Sequence, residues 1–186
     1  MNDMPMISPA TSAPMTVATM VAMMLPSIAP TLRRSYRDGG PTTLFAIGYA
    51  SVWSAIALAL FAMSIAISPF GATATGAVVL CAGVLQRSQW KAKQLLRCRA
   101  ACVAATVPSN AATLWRDGCR FGVECALSCA APMAVLFAAG LMNAPMMLVI
   151  TAAITAERVT PNGERIARLT GALALIAGLI ICVGRL

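Results

Sequence analysis

Long apolar runs, most of them near bilayer length and separated by clusters of arginine and lysine, leave this chain few ways to fold. Crossing the hydrocarbon takes about 20 apolar residues, with a range of roughly 17 to 25. Clear candidates lie at about 15–32, 42–67, 70–86, 121–141 and 166–184. A shorter run, about 144–157, follows the break Met142-Asn143-Ala144-Pro145 and reads as a half-length helix or a span that borrows flanking residues. The stretch 100–114 is short, polar in places and interrupted by Pro108, which assigns it to the membrane surface. Only 11% of the 186 residues are charged, less than half the usual share of a soluble domain, and the mean hydropathy is +0.79. These features predict an all-α, polytopic transmembrane helix bundle of about six spans, with residues 1–186 forming a single integral membrane domain. The segment Met1 to Met15 carries no Lys or Arg. A signal peptide wants a positive n-region, so the first span is expected to be retained.

The charges orient the bundle. Arg33, Arg34 and Arg37 follow span 1, and Arg158, Arg165 and Arg168 separate spans 5 and 6. Between spans 3 and 4 lies a basic loop, 87–120, with Arg87, Lys91, Lys93, Arg97, Arg99, Arg116 and Arg120. With six spans, all three clusters fall on one side, and only Arg185 of the 14 basic residues is left outside them. The positive-inside rule makes that side cytoplasmic and puts both termini outside. The net charge of +8 is thereby a topology signal. With no aromatic-basic recognition motif beside it, no nucleic-acid partner is expected.

Sulfur follows the same axis. Cys98, Cys102, Cys119, Cys125 and Cys129 all lie in the basic loop or the inner half of span 4, where a reducing compartment keeps thiols free. Cys81 and Cys182 read as lone core cysteines. Cys98/Cys102 and Cys125/Cys129 are i, i+4 pairs that share one face if helical, and Met133 extends the second pair by another such step. Met20, Met23 and Met24 occupy one face of span 1, in the stretch MVAMMLPSIAP (20–30). At about 1.5 Å per residue, Met24 lies roughly 13 Å inward from Met15, and Met133 a similar distance inward from Met142. If spans 1 and 4 pack together, these sulfurs converge near mid-membrane. Met4, Met6, Met142, Met146 and Met147 lie on the outer side. Thioethers and thiolates select Cu(I), so the distribution resembles a soft-metal relay. The same residues also suit plain packing, since methionine fills irregular gaps and buried cysteine acts as a small hydrophobe. Pro26 and Pro30 remove helix donors, either bending span 1 around a site or fitting it against span 4.

Glu124, about one turn into span 4, and Glu157, at the inner end of span 5, are costly in a membrane and are usually paired or functional. Arg120 at i−4 is placed to reach Glu124, and Arg158 adjoins Glu157. Structural pairing and a role in cation passage or proton coupling both remain open.

Several of these segments together resemble a family of bacterial multi-pass proteins described as predicted metal-binding integral membrane proteins. The residues are MVAMMLPSIAP (20–30), then Gln86, Lys91, Leu95, Cys98 and Arg99, then Gly118, Gly122, Cys125 and Cys129. LFAAGLMN (136–143), Met147, Glu157, Pro161 and Gly163 complete the match, in order. The resemblance implies a metal-binding protein of the bacterial inner membrane. The chain departs from the pattern at a histidine, here Phe121, and has no histidine anywhere. The family's adjacent cysteine pair and following tryptophan become Ser128, Cys129 and Ala130, and a loop cysteine becomes Gln94. If the family's site mixes His and Cys, what remains here is a sulfur-only site or a vestige on a retained scaffold.

Two functions follow as expectations. The first is a non-enzymatic membrane protein that binds or hands over a soft metal ion, Cu(I) foremost. Cys125, Cys129 and Met133 would ligate from span 4 and Met20, Met23 and Met24 from span 1, with Cys98 and Cys102 as a cytoplasmic exchange pair. Its partners would be the lipid bilayer and a metal donor or acceptor protein. The second is a structural or assembly subunit of a larger membrane complex. Enzymatic chemistry is disfavoured by the lack of a histidine base, a partnered nucleophile, a phosphate-binding loop or a CxxCH haem attachment.

Overall fold

The computed structural model describes residues 9–37, 42–66, 71–104, 110–139 and 143–184. Among the described residues there are seven helices and no strand: α1 (Pro9–Arg37), α2 (Thr42–Ala66), α3 (Ala72–Arg87), α4 (Gln89–Ala104), α5 (Ala111–Ala139), α6 (Ala144–Val159) and α7 (Gly163–Val183). Three stretches, Thr42–Ile65, Ala111–Ala139 and Gly163–Val183, are long and apolar enough to cross a membrane, and Ala13–Pro26 is a shorter apolar stretch. α1 runs on as one helix through Pro14, Pro26 and Pro30, so the prolines of the MVAMMLPSIAP stretch do not interrupt it. Met4, Met6 and Met142 lie outside the described residues.

The region 87–120 holds more helix than a loop. Its sequence QWKAKQLLRCRAACVA is rich in good helix formers with no Gly or Pro, and it forms α4. Ser88, extended at φ −73° and ψ 155°, separates α3 from α4, and its Oγ accepts the backbone N–H of Lys91 at 3.3 Å. α5 begins at Ala111, ten residues before the apolar run of span 4. α6 is capped by Asn143, whose Oδ1 accepts the N–H of Met146 at 3.2 Å, the usual N-cap arrangement.

Two glycine-lined seams set the layout. Gly76 and Gly83 of α3 face Gly171 and Gly178 of α7. A Cβ on Gly83 would meet the carbonyl oxygen of Gly171 at 3.0 Å and Leu175 N at 2.9 Å. On the other seam Gly118 of α5 abuts the Phe45 backbone of α2, and Gly122 abuts Val52. Small residues let helix backbones approach closely where hydrophobicity alone does not drive association. α4 lies across α5 and the end of α3, while α1 packs on α2 and α6. The sulfur-bearing faces of α1 and α5 meet in one buried cluster, with α1 packed most extensively on α2 and α6. The outward face of α7, with Leu169, Leu173, Ile176 and Ile180, is exposed, as the lipid-facing side of a span would be.

A buried sulfur cluster under a polar lid

The Met face of α1 and the Cys face of α5 point into the same interior. Met20, Met23 and Met24 join Cys98 of α4 and Cys125, Cys129 and Met133 of α5 in one contiguous buried cluster. Met24 and Cys125 are fully buried. The i, i+3, i+4 spacing in α1 and the i, i+4, i+8 spacing in α5 explain this, because each set falls on one helix face. Cys102 lies on α4, but its side chain falls outside the described part of the structure. Cys81 is exposed and Cys182 half-buried. Cys81 thus corrects the expectation of a core cysteine: it faces outward from α3, away from the packed seam with α7.

The thiols are held by Tyr49, which the sequence does not single out, and by Arg158, which it offers only as a topology charge and a neighbour of Glu157. The Tyr49 hydroxyl of α2 lies 3.2 Å from Cys125 Sγ. Arg158 donates to Cys129 Sγ at 3.4 Å, to Ser128 Oγ at 2.7 Å and to the Cys125 carbonyl at 3.0 Å. Tyr49 in turn stacks near Phe121, centroids 5.6 Å apart, and Phe121 lies 5.7 Å from Phe45. Phe121 therefore belongs to an aromatic layer and offers no ligating atom.

Beside the thiols lies a buried polar group. Lys91 Nζ pairs with Glu157 Oε2 at 2.8 Å, both side chains 3% exposed. Gln86 Nε2 donates to Glu157 Oε1, and Thr170 Oγ1 donates to the same oxygen at 2.9 Å. Lys91 Nζ also donates to the Ser128 carbonyl. Pro132 sits inside α5, four residues after Ser128, so it cannot supply the amide that this carbonyl would normally receive. The lysine replaces it. Arg99 closes the corner by donating to the carbonyls of Glu157 at 3.0 Å and Thr160 at 2.5 Å. Gly163 is fitted there so closely that a Cβ would collide with the Glu157 carbonyl.

Both ion pairs expected from the sequence are corrected. Glu157 pairs with Lys91 rather than Arg158, because adjacent residues on a helix point about 100° apart and do not face each other. Arg120 and Glu124 form no ion pair, and Glu124 Oε2 is buried with no hydrogen-bond partner. Among the described residues only Lys91–Glu157 and the exposed Arg168–Glu164 are bridged.

The donor set has a definite chemical character. No group of three or more His, Cys, Asp or Glu is arranged to hold a metal among the described residues. Two thiols one helical turn apart, with thioethers in the same cluster, form a soft set that suits a monovalent d10 ion. An ion held by two thiolates leaves a net negative charge, and Arg158 stands beside it.

A family model described as PpoB2, copper chaperone, matches residues 14–181. No curated protein and no solved structure matches the chain. The matched span takes in α2 to α6, most of α1 and α7, and every described member of the sulfur cluster, and on that match the chain belongs to the PpoB2 copper chaperone family.

Proposed function

We propose that this protein is a non-enzymatic, multi-pass protein of the bacterial inner membrane that binds Cu(I) and hands it on through Met and Cys ligands. One observation carries the reading: thioethers of α1 and thiols of α4 and α5 share one buried cluster in a chain of the copper chaperone family. Cys125 and Cys129 are the primary ligands, and Met133, Met20, Met23 and Met24 are thioether ligands reached from the outer side. Cys98 and Cys102 form the exchange pair on the basic, cytoplasmic side. Tyr49 and Arg158 orient the two primary thiols. Transfer is ligand exchange with copper remaining monovalent. Each thiol that takes the ion gives up its proton as the donor's sulfur recovers one. In this reading the chain has six spans, with α4 at the cytoplasmic surface and both termini outside, an arrangement supported by the basic clusters; three of the stretches are long and apolar enough to cross by themselves.

The experiment is copper stoichiometry of the purified protein after anaerobic reconstitution with Cu(I), beside a Cys125→Ser/Cys129→Ser variant. A near-integral copper content that the variant loses is the expected result. Equal copper in both, or none retained by either, refutes the α5 site. A second reading, an assembly subunit with a vestigial metal site, is favoured by Phe121, which is buried between Phe45 and Tyr49 at the position where the resemblance drawn from the sequence alone implies a histidine. Under it, the protein co-purifies with other membrane subunits and holds no copper.

A further inference from the structure

A cavity of about 430 Å³ opens between α4 and α5, lined by Arg97 and Ala101 of α4 and by Asp117, Arg120, Phe121 and Glu124 of α5. Its volume falls within the usual range for small-molecule pockets, about 300–1,000 Å³. Its polar character comes from two guanidinium groups and two carboxylates facing one space. Asp117, Arg120 and Glu124 follow i, i+3, i+7 spacing and so share a face of α5. Arg120 stands one turn from each carboxylate, at spacings that ordinarily favour pairing. It bridges to neither, and none of the four is in an ion pair among the described residues. One oxygen of Glu124 is buried without any partner. A buried acceptor of this kind costs free energy unless something donates to it.

We propose that this cavity binds a small zwitterionic ligand of amino-acid or short-peptide type. Its carboxylates engage Arg97 and Arg120, and its ammonium group engages Glu124 and Asp117. Planar guanidinium groups suit carboxylates, which they can grip with two parallel hydrogen bonds. An ammonium group supplies the donors that Glu124 lacks. Phe121 lines this cavity and also belongs to the buried sulfur cluster, so the ligand sits one side chain away from the thiols. A thiol-bearing peptide is the form that would use this position, as the carrier from which the thiols take Cu(I). That role rests on the copper-handling reading, whereas the binding site itself does not.

The test is calorimetric titration of the copper-free, full-length protein in nanodiscs with reduced glutathione as the probe. The expected result is one saturable site per chain, weakened at least about tenfold by Arg97→Gln and by Glu124→Gln and unchanged by Cys125→Ser/Cys129→Ser. Acetate or methylamine alone should give no saturable heat, because each satisfies only one pole of the site. No saturable binding to the unaltered protein overturns the proposal, as does full binding by both charge variants. Loss of binding in the double-cysteine variant also overturns it, by moving the ligand to the sulfur cluster. Arg97 is exposed, so Arg97→Gln is expected to fold normally. Copper stoichiometry is read separately, so failure here leaves the copper reading intact and the reverse also holds.

Discussion

Replacing Lys91 with methionine tests how the polar group beneath the thiols is held. The lysine and Glu157 are each 3% exposed and 2.8 Å apart, so Lys91→Met strands a carboxylate with only Gln86 and Thr170 as donors. Breaking a buried pair from one side costs about 3–5 kcal/mol. The same change removes the donor to the Ser128 carbonyl, which Pro132 cannot replace, and an orphaned acceptor costs about 1–3 kcal/mol. The single variant should therefore lose at least about 4 kcal/mol, a large part of a typical stability of about 5–15 kcal/mol. In Lys91→Met/Glu157→Gln the buried charge is gone, while the amide oxygen still accepts from Gln86 and Thr170. The Ser128 deficit then remains, about 1–3 kcal/mol, beside the unaccepted N–H donors of the new amide, and neither carries the cost of a buried unpaired charge. The assay is reversible unfolding in mixed micelles for the unaltered protein, both single variants and the double. A loss below about 1 kcal/mol in Lys91→Met, or losses that simply add in the double variant, would refute the reasoning.

The glycine seam offers a second test. Gly83→Val places side-chain atoms where Leu175 and the Gly171 carbonyl already lie within 3.0 Å. It should cost about 1–3 kcal/mol by overpacking in the same unfolding assay, while Gly71→Ala, with nothing within 4 Å, should be nearly neutral. Thiol accessibility gives a third: with N-ethylmaleimide in detergent and mass-spectrometric readout, the exposed Cys81 should label first. Cys125 and Cys129, 0% and 1% exposed, should label only at the rate of local opening, and prompt labelling of either would contradict the buried cluster.

Much of the helical layout was legible because its signals are local. The sulfur spacings put Met20, Met23 and Met24 on one face and Cys125, Cys129 and Met133 on another, and both faces are buried. Long-range partnering was not legible. Lys91, Gln94, Leu95 and Cys98 are spaced i, i+3, i+4, i+7 and form the buried face of α4, yet among so many cations Lys91 reads as one more topology charge. Its partner lies on α6, and nothing near it in sequence announces the pairing. Glu157 was matched to its neighbour Arg158 by adjacency, which helix geometry forbids. Tyr49 escaped notice because a lone tyrosine in an apolar run has no spacing to mark it, and only packing of α2 on α5 brings its hydroxyl to Cys125.

Pro132 is a defect in α5 that the rest of the molecule uses as an anchor. The carbonyl it leaves free is where α4 attaches through Lys91, and the same ammonium group secures α6 through Glu157. A proline-to-alanine change in a helix interior ordinarily gains about 3 kcal/mol. At this position the restored amide would seek a carbonyl that already has a donor, and the gain would shrink accordingly. Mending the helix would weaken the fastening of three.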